Sequence, residues 1–362
     1  MKGKCILLIS PEAWGVSFVS KHHYAMELAK ENIVYFLNPA TSPKGSKMDI
    51  SVQEESENLF VINYRNLLPR INSIPPLLRH RLYKNQAKKI QDHLKINEFD
   101  VIWSFDPYRY NDQKMWKAKK RLYHCVDFHI NAKQEQTMIN SSDLTLVISE
   151  VMMDYFKKIP AQFKVIGHGF NPTNDLTDIK VPGSNKLKAV YVGNVSGLLA
   201  IRRLIELAID HPTVDFILIG PYSFKEKNPF TTFGNIYLIG KIKAQLIPSY
   251  LKYSSINLLL LKDRKGVPNS NSHKLMAYFD SGKVTLSDDL IDYKNANTNL
   301  IELAKNSDEF KARFKAIINH LDEYNNPEKE KIRRQFAKEN TYAEKLNEIS
   351  NLLYFENNEA HI

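Results

Sequence analysis

Cysteine is scarce in this chain: Cys5 and Cys125 are the two among 362 residues. Two cysteines make no disulfide framework. Each lies in an apolar, strand-like run, where a small buried side chain is expected. No CxxC or HExxH string occurs, and the eleven histidines show no ligand spacing, so no metal site is expected. No apolar run approaches the roughly 18 residues of a membrane-spanning helix. The longest, Ile256–Leu261, is interrupted by Asn257 and suits a buried strand. The opening Met1–Ile9 is basic and then apolar, too short for a signal-peptide core and without a small-residue cleavage site after it. It reads as the first strand of a cytoplasmic protein.

The rest of the composition is ordinary for a globular protein, with 43% hydrophobic and 25% charged residues, which excludes collagen-like and disordered classes. At roughly 150 residues per domain the length implies two domains. The formal charge of +10 favours an anionic small molecule, an anionic membrane surface or nucleic acid. Nucleic acid is the weakest of these, because the charge is spread along the chain and no nucleic-acid-binding motif occurs.

Strand-like and helix-like segments alternate. Cys5–Ser10, Ile33–Leu37, Leu59–Ile62, Val101–Phe105, Arg121–Val126 and Leu144–Ser149 read as strands, with helices over Ser17–Lys30, Leu77–Leu94 and Glu150–Lys157. After a polar stretch containing Pro172, Pro182 and Gly183, the pattern restarts at Ala189. Its strands are Ala189–Val192, Asp215–Ile219, Asn235–Ile239, Ile256–Leu261 and Lys283–Leu286, with helices at Leu198–Ile209, Gln245–Lys252 and His273–Asp280. Glu309–Leu353 reads as amphipathic helices broken at Pro327. This predicts an α/β fold of two tandem Rossmann-like, doubly wound parallel sheets. Ligands in such sheets sit beyond the carboxyl ends of the strands. One ligand per sheet, with domain closure expelling water, suits transfer of a group from a donor to an acceptor.

Several strings resemble known ones. Gly240-Lys241, Ile247–Leu251 and Ile256–Leu261 resemble the "LLGxxxxxxLPxYLxxxDVxLLP" stretch of family-4-like (group 1) glycosyltransferases of the GT-B fold. Asn271–Val284 is similar to their "PxKLxEYLAxGKPVV" segment, and Tyr191-Val192-Gly193-Asn194 to their "YxGN" turn. Val165–Phe170 resembles the "VIPHGVD" hinge, Tyr123–Phe128 the "YxCVDD" strand end, and Asn340–Glu344 the "NTW" entry to a helix that crosses back. The strings occur in the family's order over about 330 residues. The resemblance implies residues 1–170 as an acceptor-binding domain and 171–188 as a linker. It implies 189–335 as a nucleotide-sugar donor domain and 336–362 as the crossover helix. It also implies UDP- or GDP-sugar as co-substrate, no other cofactor, and an acceptor that is a saccharide or lipid-linked. Transfer in surface or capsular polysaccharide synthesis is the expected activity. A nucleotide-sugar epimerase of the same fold and a degenerate partner subunit are the alternatives. The family's usual Glu is replaced by Ala277, and the Pro before Lys-Leu by His273. The resemblance gives that Glu to the donor ribose, and Asp280, three residues on, is the nearest carboxylate in sequence.

On the donor side, Gly193 and Asn194 follow a strand, where a glycine admits a phosphate to the backbone. Val195–Leu199 departs from a glycine-rich fingerprint, so a dinucleotide is disfavoured. Lys262 and Arg264 end a buried strand and would neutralise a diphosphate leaving group without a metal. No spaced Asp pair follows a strand, since Asp288-Asp289 is adjacent. Ser272 reads as the cap of the next helix, with His273, Lys274, Tyr278 and Asp280 as further donor contacts. In the first half, Gly15, His22 and Asp106 are expected at the acceptor, and His23 as a proton shuttle. Asp127 is the expected general base, with His124 orienting the donor sugar and His168 and Gly169 forming a hinge. The basic stretch 79–95, after an aliphatic run including Leu77 and Leu78, fits an anionic membrane surface. Localisation is then cytoplasmic, peripheral on the inner face of the membrane.

Overall fold

The computed structural model describes residues 1–15, 18–42, 48–66, 68, 71–127, 133–172, 176–197, 199–224, 228–262, 272–294 and 299–354. These fall into two compact units, 1–167 with 342–354, and 168–341.

In the first unit β1 (Cys5–Ile9) leads through α1 (Ser20–Ala29) to β2 (Ile33–Leu37). Next come β3 (Ile50–Ser56), β4 (Leu59–Tyr64) and α2 (Pro76–Leu94), then β5 (Phe99–Ser104) and β6 (Ala118–Cys125). The series ends with α3 (Lys133–Asn140), β7 (Leu144–Val147), α4 (Glu150–Phe156) and β8 (Phe163–Val165). The sheet order is β3-β4-β2-β1-β5-β6-β7-β8. The β1 run CILLI is apolar throughout because a central parallel strand is covered on both faces. Leu8 stands beside Phe36 on one side and Trp103 on the other, all fully buried.

β3 was not expected from the sequence. Its ISVQEES run pairs antiparallel to β4 and is exposed at all but its first residue, so no apolar alternation betrays it. Backbone pairing alone makes it a strand, and its polarity guards the sheet edge.

The second unit contains β9 (Leu187–Val192), α5 (Ile201–Asp210), β10 (Val214–Ile219), β11 (Ile236–Gly240), α6 (Ile247–Leu251) and β12 (Ile256–Leu259). It continues with α7 (Lys274–Asp280), β13 (Thr285–Asp288), β14 (Glu302–Ala304), α8 (Ser307–Asn319), α9 (Leu321–Tyr324) and α10 (Pro327–Glu339). Its all-parallel sheet runs β11-β10-β9-β12-β13-β14. Pro327 begins a helix rather than breaking one. It occupies the first turn of α10 behind the cap Asn326, where a missing N–H costs nothing.

Residue 336, the expected start of a crossover, lies inside α10, whose Phe336 meets Phe279 of α7 edge-on at 5.5 Å. The return to the first unit comes at Tyr342, with α11 (Tyr342–Tyr354). Its Tyr342, Leu346, Ile349 and Leu353 join Tyr24, Ala25 and Leu28 of α1 in one core.

Among its parallel strands each sheet reverses its order once: between β1 and β5 in the first unit, between β9 and β12 in the second. The loops leaving these strands border a crevice at the carboxyl edge, where open α/β sheets bind ligands.

Candidate functional site

In the second unit the loop after β9 opens with Gly193, whose φ of +153° favours glycine. A Cβ there would collide with the Lys274 ammonium and the Tyr191 hydroxyl. Gly220, at the end of β10, is required for a second reason: its Cβ would overlap the Gly193 carbonyl. The loop is pinned on both sides. Val195 N–H donates to the Pro221 carbonyl at 3.0 Å, and Ala200 N–H to the Leu260 carbonyl at 3.3 Å. Ser223 N–H donates to Ser196 Oγ at 3.0 Å.

Against this loop stands Lys274, the first residue of α7. Its ammonium lies 5.4 Å from the centre of the Tyr191 ring. Among the described residues no carboxylate pairs with it, and burial alone pulls its pKa down to about 8. A half-buried cation of this kind prefers any anion to its present surroundings. By contrast Arg203, in the first turn of α5, is ion-paired with Asp288 at the end of β13. Asp288 also accepts the Leu261 N–H at 2.7 Å, which holds the end of β12. Lys262 is exposed and lines a cavity of about 670 Å³ with Ser196, Arg202, Arg203 and Lys311. Arg264 lies outside the described residues.

Three expectations on this side are corrected, for Ser272, Tyr278 and Asp280, and the Asn194 side chain is placed. The cap of α7 is His273, not Ser272, whose carbonyl instead accepts the Leu275 N–H at 2.9 Å. Tyr278 is fully buried: its hydroxyl accepts from Val192 N–H at 2.8 Å and donates to the Leu258 carbonyl at 3.1 Å, bracing β9 against β12. Asp280 closes the far end of α7, about 9 Å along the axis from Lys274. There burial raises its pKa, opposed by Arg334 and Lys338 of α10. The Asn194 side chain turns back to accept the Gly197 N–H at 2.9 Å, closing its own turn. His168 and His273 do come together, their rings 6.0 Å apart and nearly perpendicular, and Gly169, next to His168 in the chain, is buried.

No protein-family model and no curated protein matches the sequence. Solved structures do. Sucrose-phosphate synthase from Thermosynechococcus elongatus aligns at a TM-score of 0.69, over 96% of this chain and 98% of that one, with 12% identity. The E. coli trehalose-6-phosphate protein bound with UDP-2-fluoro glucose gives 0.69 over 96% and 99%, also at 12% identity. Anabaena HepE in complex with UDP and glucose gives 0.64 over 97% and 99%, at 13% identity. The two mostly parallel sheets and C-terminal helices of this chain match those GT-B structures. The chain has the GT-B fold.

In the N-terminal half of this GT-B chain, the crevice loops carry charges that satisfy one another. Asp106, after β5, accepts from Arg109 Nε at 2.6 Å and from the Tyr108 N–H at 2.9 Å. Arg109 in turn donates to the Asn38 carbonyl at 2.9 Å and the Tyr64 hydroxyl at 2.7 Å. Asp106 is therefore a buried strut with no carboxylate edge left for an acceptor. Lys21 of α1 is buried, ion-paired with Glu12, and sits over the Phe105 ring. Neither Arg109 nor Lys21 stands out in the sequence, since each is one more cation in a basic chain.

The histidines are also relocated. His22 is buried, its Nδ1 accepting the Val19 N–H at 3.2 Å and its Nε2 3.3 Å from the Ala13 carbonyl. His124 is buried within a stack of rings, 5.0 Å from Phe105 and 5.6 Å from Tyr24, too deep to touch a sugar. His23 stacks on Tyr342 at 5.1 Å, and burial lowers its pKa to about 4, so its ring is uncharged near neutrality.

Gly15 has φ +83° with open space around its Cβ direction, so conformation, not crowding, selects glycine there. Asp127 remains exposed at the carboxyl end of β6. Beneath it the Tyr123 hydroxyl and the Cys125 thiol both donate to the buried Glu135 carboxylate, at 2.6 and 3.2 Å.

Proposed function

We propose that the chain is a glycosyltransferase whose second unit holds a nucleoside-diphosphate sugar. The observation that carries this reading is the half-buried Lys274 ammonium, which among the described residues has no carboxylate partner, against Gly193 at the switch point of the second sheet. Two similar structures bind UDP or a UDP-sugar by their titles, and the same ligand class would supply the missing negative charge here.

In the reaction the anomeric C–O bond to the diphosphate breaks and an acceptor hydroxyl oxygen bonds to that carbon. The diphosphate leaves with the electron pair, and Lys274 balances its charge. A carboxylate takes the acceptor proton, the role expected of Asp127. Side-chain cations do the neutralising in this scheme, so transfer persists in a chelator. The acceptor is a saccharide, free or lipid-linked, as in surface polysaccharide synthesis.

Ala277 supports a second reading. It offers no oxygen to a ribose, and Asp280 is directed toward α10 rather than replacing it. A non-transferring subunit that still binds nucleotide would look like this. The test is a panel of UDP-, GDP- and ADP-sugars with saccharide and lipid-linked acceptors, read by mass spectrometry. Transfer with loss on Asp127→Asn supports the enzyme. Saturable binding without transfer selects the non-catalytic reading, and no binding of any nucleotide overturns both.

A further inference from the structure

The outer stripe of α2 carries a set of charges the transferase reading does not use. Leu77, Arg81, Lys84 and Lys88 follow one another at intervals of four, three and four residues and so share one face. The opposite face, with Tyr83, Ala87 and Ile90, is buried in the core. Beside the stripe a groove of about 570 Å³ is lined by Arg81, Lys84, Lys88, Lys114 and Lys117, with Asp92 as its carboxylate.

This is a built surface rather than a loose one. Gln91 of α2 clasps the far wall, accepting the Lys117 N–H at 3.0 Å and donating to its carbonyl at 3.4 Å. Met115 and Trp116, between the two lysines, are buried. The acids nearby are engaged elsewhere: Asp100 holds Lys119 at 2.8 Å, and Asp112 caps the Lys114 N–H at 3.0 Å and faces His80. Among the described residues none of the five groove cations forms an ion pair.

A soluble polyanion would explain the cations but not the leucines. At the start of the same helix Leu77 is 83% exposed and Leu78 52%, and Leu68 is exposed just upstream. A cationic stripe that begins in exposed leucines is the pattern of a helix lying in a membrane interface. There the apolar end enters the acyl boundary while lysine stems reach the headgroups.

The geometry points to α2 and the 114–117 segment as a docking surface for an anionic phospholipid bilayer. The surface lies wholly in the first unit and needs no nucleotide, so its test is independent of the transferase reading.

The test is flotation of the full chain with vesicles of phosphatidylcholine alone, or with one-third phosphatidylglycerol, in the absence of nucleotide. Capture by the anionic vesicles alone, falling steeply with salt, is expected. Each well-placed cation is worth about fivefold in partitioning, so Lys84→Glu with Lys88→Glu should reduce capture by more than tenfold. Leu77→Ser with Leu78→Ser should reduce it about tenfold while keeping the salt dependence. All four positions are exposed, so the fold survives. No capture, equal capture by neutral vesicles, or full capture by the leucine variant together with displacement by duplex DNA would overturn the proposal. The lipid and salt comparisons on the unmodified chain decide the matter even without the variants.

Discussion

The two crevice edges of this chain handle charge in opposite ways. In the first unit the charged groups near the β1 and β5 ends are matched internally: Asp106 with Arg109, and Glu12 with Lys21. In the second unit Arg203 is matched by Asp288, but among the described residues no carboxylate pairs with Lys274, at a cost in desolvation. Buried charges are normally paired. A satisfied pair does structural duty, whereas an unsatisfied one reserves its field for something that arrives later. On that ground the anion site proposed above is placed in the second unit, while the crevice charges of the first unit are spent on each other.

Substitutions can break this contrast. The largest effect is expected at Arg109. Arg109→Met strands the buried Asp106 carboxylate and should destabilise the protein by about 3–5 kcal/mol in denaturant unfolding. Lys274→Met should do the reverse, leaving stability unchanged or higher by on the order of 2 kcal/mol near neutral pH. The same change should lower UDP affinity at least tenfold.

Tyr278→Phe comes next in size. It leaves the Val192 N–H buried without an acceptor, and should cost about 1–3 kcal/mol in thermal or chemical unfolding. A loss of nucleotide binding without a loss of stability would instead restore Tyr278 to the donor site.

The pH dependences sharpen the contrast. Lys274 titrates near 8 in the folded chain against its ordinary value of 10.5. The unfolded chain binds more protons between those values, so stability rises with pH across that window, and Lys274→Met should abolish the rise. The smallest effect belongs to His23, lowered from 6.5 to about 4. Its contribution is present above pH 6.5 and lost as pH falls toward 4. His23→Gln should flatten that part of the stability curve.

The alternation of buried strands and helices was readable because parallel strands covered on both faces are apolar throughout, as in Ile6–Ile9 and Phe216–Ile219. Gly193 was readable too, from its place at a strand end. What escaped was orientation. Asp106 and Arg109 lie three residues apart, and nothing in the string DPYR says that the second folds back onto the first. His22 and His23 are neighbours in sequence, yet one is held by backbone groups of its own loop and the other rests on the C-terminal helix. Asp280 is near Lys274 in sequence and at the opposite end of α7 in space. β3 escaped because a polar edge strand is specified by its partner's backbone rather than by its own side chains.

The most direct measurement is calorimetry of UDP binding near pH 9, above the Lys274 pKa of about 8, in two buffers of different ionisation enthalpy. The account predicts uptake approaching one proton per UDP bound, because the diphosphate recharges the Lys274 ammonium, and no such uptake in Lys274→Met. Binding of equal strength in both proteins, with no proton taken up by either, would contradict it.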